Sequence, residues 1–172
     1  MMTWTIRPAR IEDYDQVCAM FRALDDYHVS ISPDQYCHFE GPARSLDRYT
    51  HLLSRSESFF FVVEHGAQLL GFVNGHLDTT PPFPMFKPQH FVTIVNLFVE
   101  DNHRGSGMGT ALMSYVADWG RSHGVSAMRL DVIADNQLAL KYYERLGFKT
   151  MRSTLQVDMD TWQHKTSTQR ST

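Results

Sequence analysis

The sequence predicts an α/β (mixed α+β) domain in which a mixed sheet carries helices on its faces. Three observations lead there. Two β-favouring runs lie at hairpin distance around His65-Gly66, two long stretches repeat apolar residues every three to four positions, and strands alternate with helices through the second half. With 172 residues and 42% hydrophobic content, the chain has the length of one domain that buries its own core. That domain is expected over residues 3–160.

The elements follow in order. Residues 3–7 alternate polar and apolar side chains and read as an edge strand, interrupted at Pro8. Over residues 11–24, Ile11, Tyr14, Val17, Cys18, Phe21 and Leu24 recur at helical spacing, with Glu12 and Asp13 suited to the first turn. The pattern dissolves over 25–45, and a short helix is expected over 46–53. Residues 59–63 and 68–77 form an antiparallel pair; the four prolines within 81–88 then impose a stiff, exposed loop. A buried strand spans 91–99. A helix over 109–124, a strand over 127–133 and a helix over 136–146 ending at Gly147 come next. Strands at 148–151 and 155–159 are expected to close the sheet, and the Ser/Thr-rich stretch 164–172 to be a disordered tail.

Composition excludes several function classes. The net charge is −3 with both signs intermixed, so nothing marks a nucleic-acid or membrane-surface binder. No apolar run resembles a signal peptide or approaches the roughly 20 residues of a membrane span, so a soluble, cytoplasmic protein is expected. Cys18 and Cys37 show no CxxC pattern, and the nine histidines no paired-ligand spacing, so neither a disulfide framework nor a metal site is expected. Small molecules or peptides are the expected partners, and a homodimer is left open.

The stretch from Val95 to Leu112 carries the chemistry: a buried strand, a polar turn, three glycines at alternate positions and a helix. Glycines let backbone approach a ligand closely, and the free N–H groups of a helix start favour phosphate, so a pyrophosphate is the expected ligand. A Walker loop requires Lys-Ser or Lys-Thr after its final glycine, whereas Gly109 is followed by Thr110-Ala111. A dinucleotide-binding loop would be GxGxxG closing the first strand of a repeated unit, and here the glycines read GxGxG two thirds along the chain. A plain glycine turn is the remaining alternative for the loop taken alone.

Two motifs in order decide among these. Arg104-x-x-Gly107-x-Gly109 resembles the R/Q-x-x-G-x-G/A pyrophosphate loop of the GNAT N-acetyltransferases, and Asn136-x-x-Ala139 with Tyr143-x-x-x-Gly147-Phe148 resembles that family's second motif. The resemblance is strong over about residues 91–150 and extends to the N-terminal half only through element order. It implies the GNAT acyl-CoA N-acyltransferase fold, with a central mixed, mostly antiparallel sheet and helices on both faces. It also implies an acetyltransferase enzyme that takes acetyl-CoA as co-substrate and an amine as acceptor. Leu97, Phe98 and Val99 would pair with the pantetheine arm from a splayed strand. Arg104, Gly105, Ser106, Gly107, Met108, Gly109 and Thr110 would cradle the pyrophosphate, Asn136 would bond the arm, and Tyr143 would lie near the thioester sulfur as general acid.

Amine attack on a thioester also needs an oxyanion donor and a base. The resemblance assigns the donor to a backbone N–H of Leu97 or Val99. Many members carry a carboxylate two residues before the position of Leu97, where this chain has Val95, followed by Asn96. His76, Asp78, His90 and Glu100 are the base candidates by position near strand ends. The acceptor site is expected from residues 25–33, where Asp25 and Asp26 would attract a cation, and from the proline loop 81–88. Neither cysteine lies near the motifs, so direct transfer in a ternary complex is expected. A noncatalytic acyl-CoA-binding module is the rival reading.

Overall fold

Phe59, Phe60 and Phe61 are neighbours in the chain, and the pleat of a strand sends them to opposite sides. In the computed structural model, which describes residues 3–160 and Trp162, they lie in β2 (Ser58–His65). Phe60 packs with Phe21, Phe72 and Phe98, whereas Phe59 and Phe61 pack with Val73, Leu112 and Val116 on the other side. A sheet that is apolar on both faces must be covered on both.

β3 (Gln68–Thr79) pairs antiparallel with β2 through a turn at Gly66. β1 (Thr5–Pro8) and β4 (His90–Val99) extend the sheet antiparallel on either side, and β5 (Met128–Leu130) lies parallel to β4. The order is β1-β2-β3-β4-β5. The Phe60 face is covered by α1 (Tyr14–Ile31), which follows a 3-10 turn at Ile11–Asp13, and by α2 (Leu46–Ser54). Ser45 caps α2 by accepting from Arg48 N. The opposite face is covered by α3 (Met108–Ser122), the crossover that a parallel step requires, and by α4 (Gln137–Arg145), whose Tyr143 packs there with Leu146 beyond its end. Arg7 ties β1 to both sides of its surroundings, donating to Asp13 and to Glu64 at 2.7 Å each.

The structure corrects three sequence expectations. α1 does not stop near Leu24 but runs on to Ile31. No glycine or proline interrupts residues 25–31, and the helix ends at Ser32, just before Pro33, which disfavours helical backbone in its predecessor. The strand expected over 127–133 is only Met128–Leu130. Residues 148–151 and 155–159 form no strand among the described residues, and Met151, Leu155, Val157 and Met159 are exposed. Alternating apolar residues need an edge to pair with, and β5 is three residues long. The tail expected over 164–172 lies outside the described residues. No described helix is long and apolar enough to cross a membrane.

β4 breaks regularity at Val95. Asn74 pairs with Asn96 and Gly75 with Ile94, so Val95 is an extra residue that bulges from the ladder and is exposed. Asn96 Nδ2 donates to Asn74 Oδ1 at 3.0 Å across the same step. The strands come so close here that a Cβ on Gly75 would lie 2.0 Å from Thr93 O and 2.7 Å from the Phe59 ring. Gly75→Ala is therefore expected to lower stability by about 3 kcal/mol, read as the thermal midpoint, and an unchanged midpoint would rule out this close approach.

Candidate active site

β5 pairs with β4 only at Val92, Thr93 and Ile94. Beyond them Leu97, Phe98 and Val99 are held by β3 on one side, opposite Val73, Phe72 and Gly71, and among the described residues have no strand on the other. An edge of this kind presents N–H and C=O groups that an extended, amide-bearing molecule can pair with. The sheet is thus open along the second half of β4, as the family resemblance implies.

The open edge leads into the glycine loop. A 3-10 turn, Asp101–His103, carries the chain to Gly105 and Gly107, whose φ angles are 77° and 89°. A Cβ at either would meet nothing within 4 Å, so the backbone angle requires glycine there and the outer side of the loop is open space. Gly107 is the N-cap of α3 and offers no side-chain cap, so the N–H groups of Met108, Gly109 and Thr110 stand at the positive end of a 15-residue helix. Such a terminus suits an anion. Ser106 Oγ donates to His103 O within the loop, and the Arg104 side chain folds back, Nε donating to Val99 O at 3.2 Å and Nη2 meeting Asp101 at 2.7 Å.

Asn136 caps α4, its Oδ1 accepting from Ala139 N at 3.1 Å, and it is buried. Tyr143, two turns further, packs its ring 5.5 Å from Phe148 and 5.1 Å from Tyr142. Burial, with Tyr142 adding, pushes the Tyr143 phenol up to about 12, so it keeps its proton at neutral pH. Tyr142 precedes it on α4. Its Oη is buried and reaches the first turn of α3, where a Cβ on Gly109 would lie 3.0 Å away. Burial raises the Tyr142 phenol too, with Thr110 opposing.

The base candidates separate. His90 and Asp78 lie at the far end of the β3–β4 pair from the glycine loop, and Asp78 accepts from Thr79 N. His76 stands opposite Thr93, before the bulge. Glu100 follows β4 and lines a cavity with Gln16, Gln68 and His103. Residues 25–31 are helix and not loop, and their carboxylates are taken: Asp25 pairs with Arg44 at 2.8 Å and Asp26 with His38 at 3.1 Å. The proline loop is exposed as expected, with Phe83 and Met85 at its surface. No group of three or more His, Cys, Asp or Glu among the described residues is placed to hold a metal.

Two residues of the 25–33 segment that sequence reading did not single out are placed by the longer α1. Tyr27 Oη donates to Asn136 Oδ1 at 3.2 Å, and the His28 ring lies tilted 5.4 Å from Tyr36. Burial, reinforced by Arg44 and opposed by Asp25, holds the His28 imidazole below its ordinary value.

The model of the Acetyltransferase (GNAT) family matches residues 19–148. The chain belongs to the GNAT acetyltransferase family. An uncharacterized N-acetyltransferase of Methanocaldococcus jannaschii is 26% identical over 151 residues, which are 86% of this chain and 61% of that protein. The chain therefore spans less than two thirds of that relative's length. The tetramutant of the BH1408 protein from Bacillus halodurans superposes with a TM-score of 0.84 at 26% identity, covering 90% of this chain and 99% of that one. AAC(6')-Iy, solved in complex with the bisubstrate analog CoA-S-monomethyl-acetylneamine, shares the fold at 17% identity and a TM-score of 0.68, covering 91% of this chain and 97% of that one. In the structure Arg104 to Thr110 form the loop and first turn of α3, and Asn136 precedes α4 as its cap.

Because Gly107 is constrained by φ and not by crowding, Gly107→Ala should destabilise by about 1–2 kcal/mol, while Gly107→Asn, a residue that tolerates left-handed backbone, should recover part of that. Thermal unfolding of both decides it; equal losses would show that the angle is not the constraint.

Proposed function

We propose that this GNAT protein transfers an acetyl group from acetyl-CoA to a primary amine, on a small molecule or a peptide, by direct attack in a ternary complex. The observation that carries the reading is the continuity of the open β4 edge at Leu97, Phe98 and Val99 with the uncapped N-terminus of α3. Amide-pairing backbone followed by an anion-binding helix start fits a ligand with an amide-bearing arm and a pyrophosphate. Leu97, Phe98 and Val99 would hold the arm with Asn136. Arg104, Gly105, Ser106, Gly107, Met108, Gly109 and Thr110 would hold the phosphates. A cytoplasmic setting without nucleic-acid, membrane or metal partners belongs to the same reading.

Acetyl-CoA supplies, when bound, a thioester carbon open to an amine nitrogen. The residues then have three tasks. A backbone N–H of Leu97 or Val99 would stabilise the oxygen as it gains charge. Tyr143, protonated at neutral pH, would give its proton to the departing sulfur. For the proton leaving the amine, helix geometry supports His28. It stands two turns after Phe21, which packs 4.6 Å from Phe72, so helix periodicity would turn it to the sheet about 10 Å further along α1. Cys18 is half-buried in α1 and Cys37 lies beyond it, so neither supports a covalent intermediate.

An amine panel with acetyl-CoA, read as release of free thiol, tests the activity, and tight CoA binding without turnover of any amine would favour a noncatalytic binding module. Tyr143→Phe should lower kcat about 10²-fold at saturation of both substrates in a folded protein. An undiminished kcat, with chemistry limiting, would leave solvent as the acid.

His28 predicts a pH profile. A depressed pKa leaves the imidazole neutral, and so able to take a proton, at neutral pH; the rate should fall only as pH drops below the ordinary histidine value of about 6.5. His28→Gln should flatten that acid limb and slow turnover. A variant with the limb intact would move the role to another group.

A further inference from the structure

Tyr27 belongs to neither GNAT motif, yet it touches a residue of each. Its Oη donates to Asn136 Oδ1 at 3.2 Å, and its ring lies 5.8 Å from the Arg104 guanidinium carbon. Asn136 opens α4 and Arg104 opens the glycine loop, so one side chain of α1 joins the expected pantetheine end to the expected phosphate end.

Topology locates that contact. α1 packs on the Phe60 face of the sheet and α4 on the Phe59 face. Side chains from opposite faces meet only where the sheet is interrupted. β4 and β5 part after Ile94, and the meeting of Tyr27 with Asn136 falls in that interruption. Tyr27 therefore lines the slot along the free edge of Leu97, Phe98 and Val99.

The hydrogen bonds add a polarity. Asn136 Oδ1 accepts from both Ala139 N and Tyr27 Oη, so both lone pairs of the oxygen are engaged. What the buried amide has left to offer is the two donors of Nδ2. A flipped amide would set NH2 against the Ala139 N–H. The partner that suits the remaining donors is a carbonyl oxygen. At the other end, Arg104 is fixed by Val99 O and Asp101, with the Tyr27 ring near its guanidinium, and an aromatic face at that range adds weak attraction and limits its motion.

We propose that Tyr27 is a positioning residue for the co-substrate: its hydroxyl sets the Asn136 amide as a donor toward a carbonyl of the pantetheine arm, and its ring backs Arg104 beside the phosphates. The proposal rests on the acetyl-CoA reading above. Hydroxyl and ring act on different parts of the ligand, which makes the roles separable.

The test uses calorimetric titration with CoA, and separately with ADP, which has the pyrophosphate and lacks the arm. Tyr27→Phe keeps the ring and should raise the CoA dissociation constant about 3- to 10-fold, the range of one hydrogen bond, with ADP affinity unchanged. Tyr27→Leu loses the ring as well and should weaken both ligands. In turnover, Tyr27→Phe should raise KM for acetyl-CoA and leave kcat and the KM for the amine near wild type, a split that a general loss of structure would not give. Combined with Asn136→Ala, Tyr27→Phe should add nothing further to the loss of CoA affinity, because the hydroxyl acts through the amide. Unchanged CoA affinity in Tyr27→Phe, equal weakening of CoA and ADP, or additive losses in the double variant would each overturn the proposal. Failure of the wild-type protein to bind CoA would instead remove the acetyl-CoA reading, and this proposal with it.

Discussion

β5 covers three residues of β4 and then parts from it, and the rest of the molecule is arranged around that parting. Had the ladder continued, Leu97, Phe98 and Val99 would have spent their outward hydrogen-bonding groups on a neighbour within the chain. Because it stops, polar backbone is left open in the middle of a sheet, a place where unpaired groups are costly unless something else meets them. The bulge at Val95 lies just past the last shared pair, so the strand changes its twist where it loses its neighbour.

Keeping such a gap open requires stiffness on both sides, and the core supplies it. On one face Phe21, Phe60, Phe72 and Phe98 form a run of ring contacts between α1 and the sheet, with Phe21 4.6 Å from Phe72 and Phe72 6.0 Å from Phe98. On the other, Phe59 and Phe61 meet Trp119 and Tyr115 of α3. These rings lock β2, β3 and β4 together, so the opening is confined to the β4–β5 side. Close backbone approach at Gly71 and Gly75, on either side of the gap's level, holds β3 against β4.

Much of this was legible in the sequence, for identifiable reasons. The glycine loop, the helix ending at Gly147 and the strands through Val99 announce themselves because their chemistry is local: a turn needs glycine, a helix end favours it, a buried strand needs a run of apolar residues. The end of α1 was not legible. Asp25, Asp26, His28 and Ser30 look like a helix dissolving, and they remain helical because their partners are distant, Arg44 for Asp25 and Asn136 for Tyr27. The same oversight left Tyr27 and His28 unnamed within the 25–33 segment. It also made Asp25 and Asp26 look free when both were engaged. The opposite error occurred after Phe148, where alternation implied strands that do not form among the described residues.

The contact between Tyr27 and Asn136 spans 109 positions of the chain. Most of the sheet is built from neighbours: β2, β3 and β4 pair successively, so those ladders can form while the chain is still emerging from a ribosome. The slot has no such history. Its α1 wall exists early, its capping residue arrives only near the end, and closing so long a loop carries an entropic cost that the finished sheet must already offset. Synthesis thus completes the scaffold before the slot, and a truncated chain ending before α4 would hold all five strands, the free β4 edge and the glycine loop without the wall that Asn136 and Tyr143 supply.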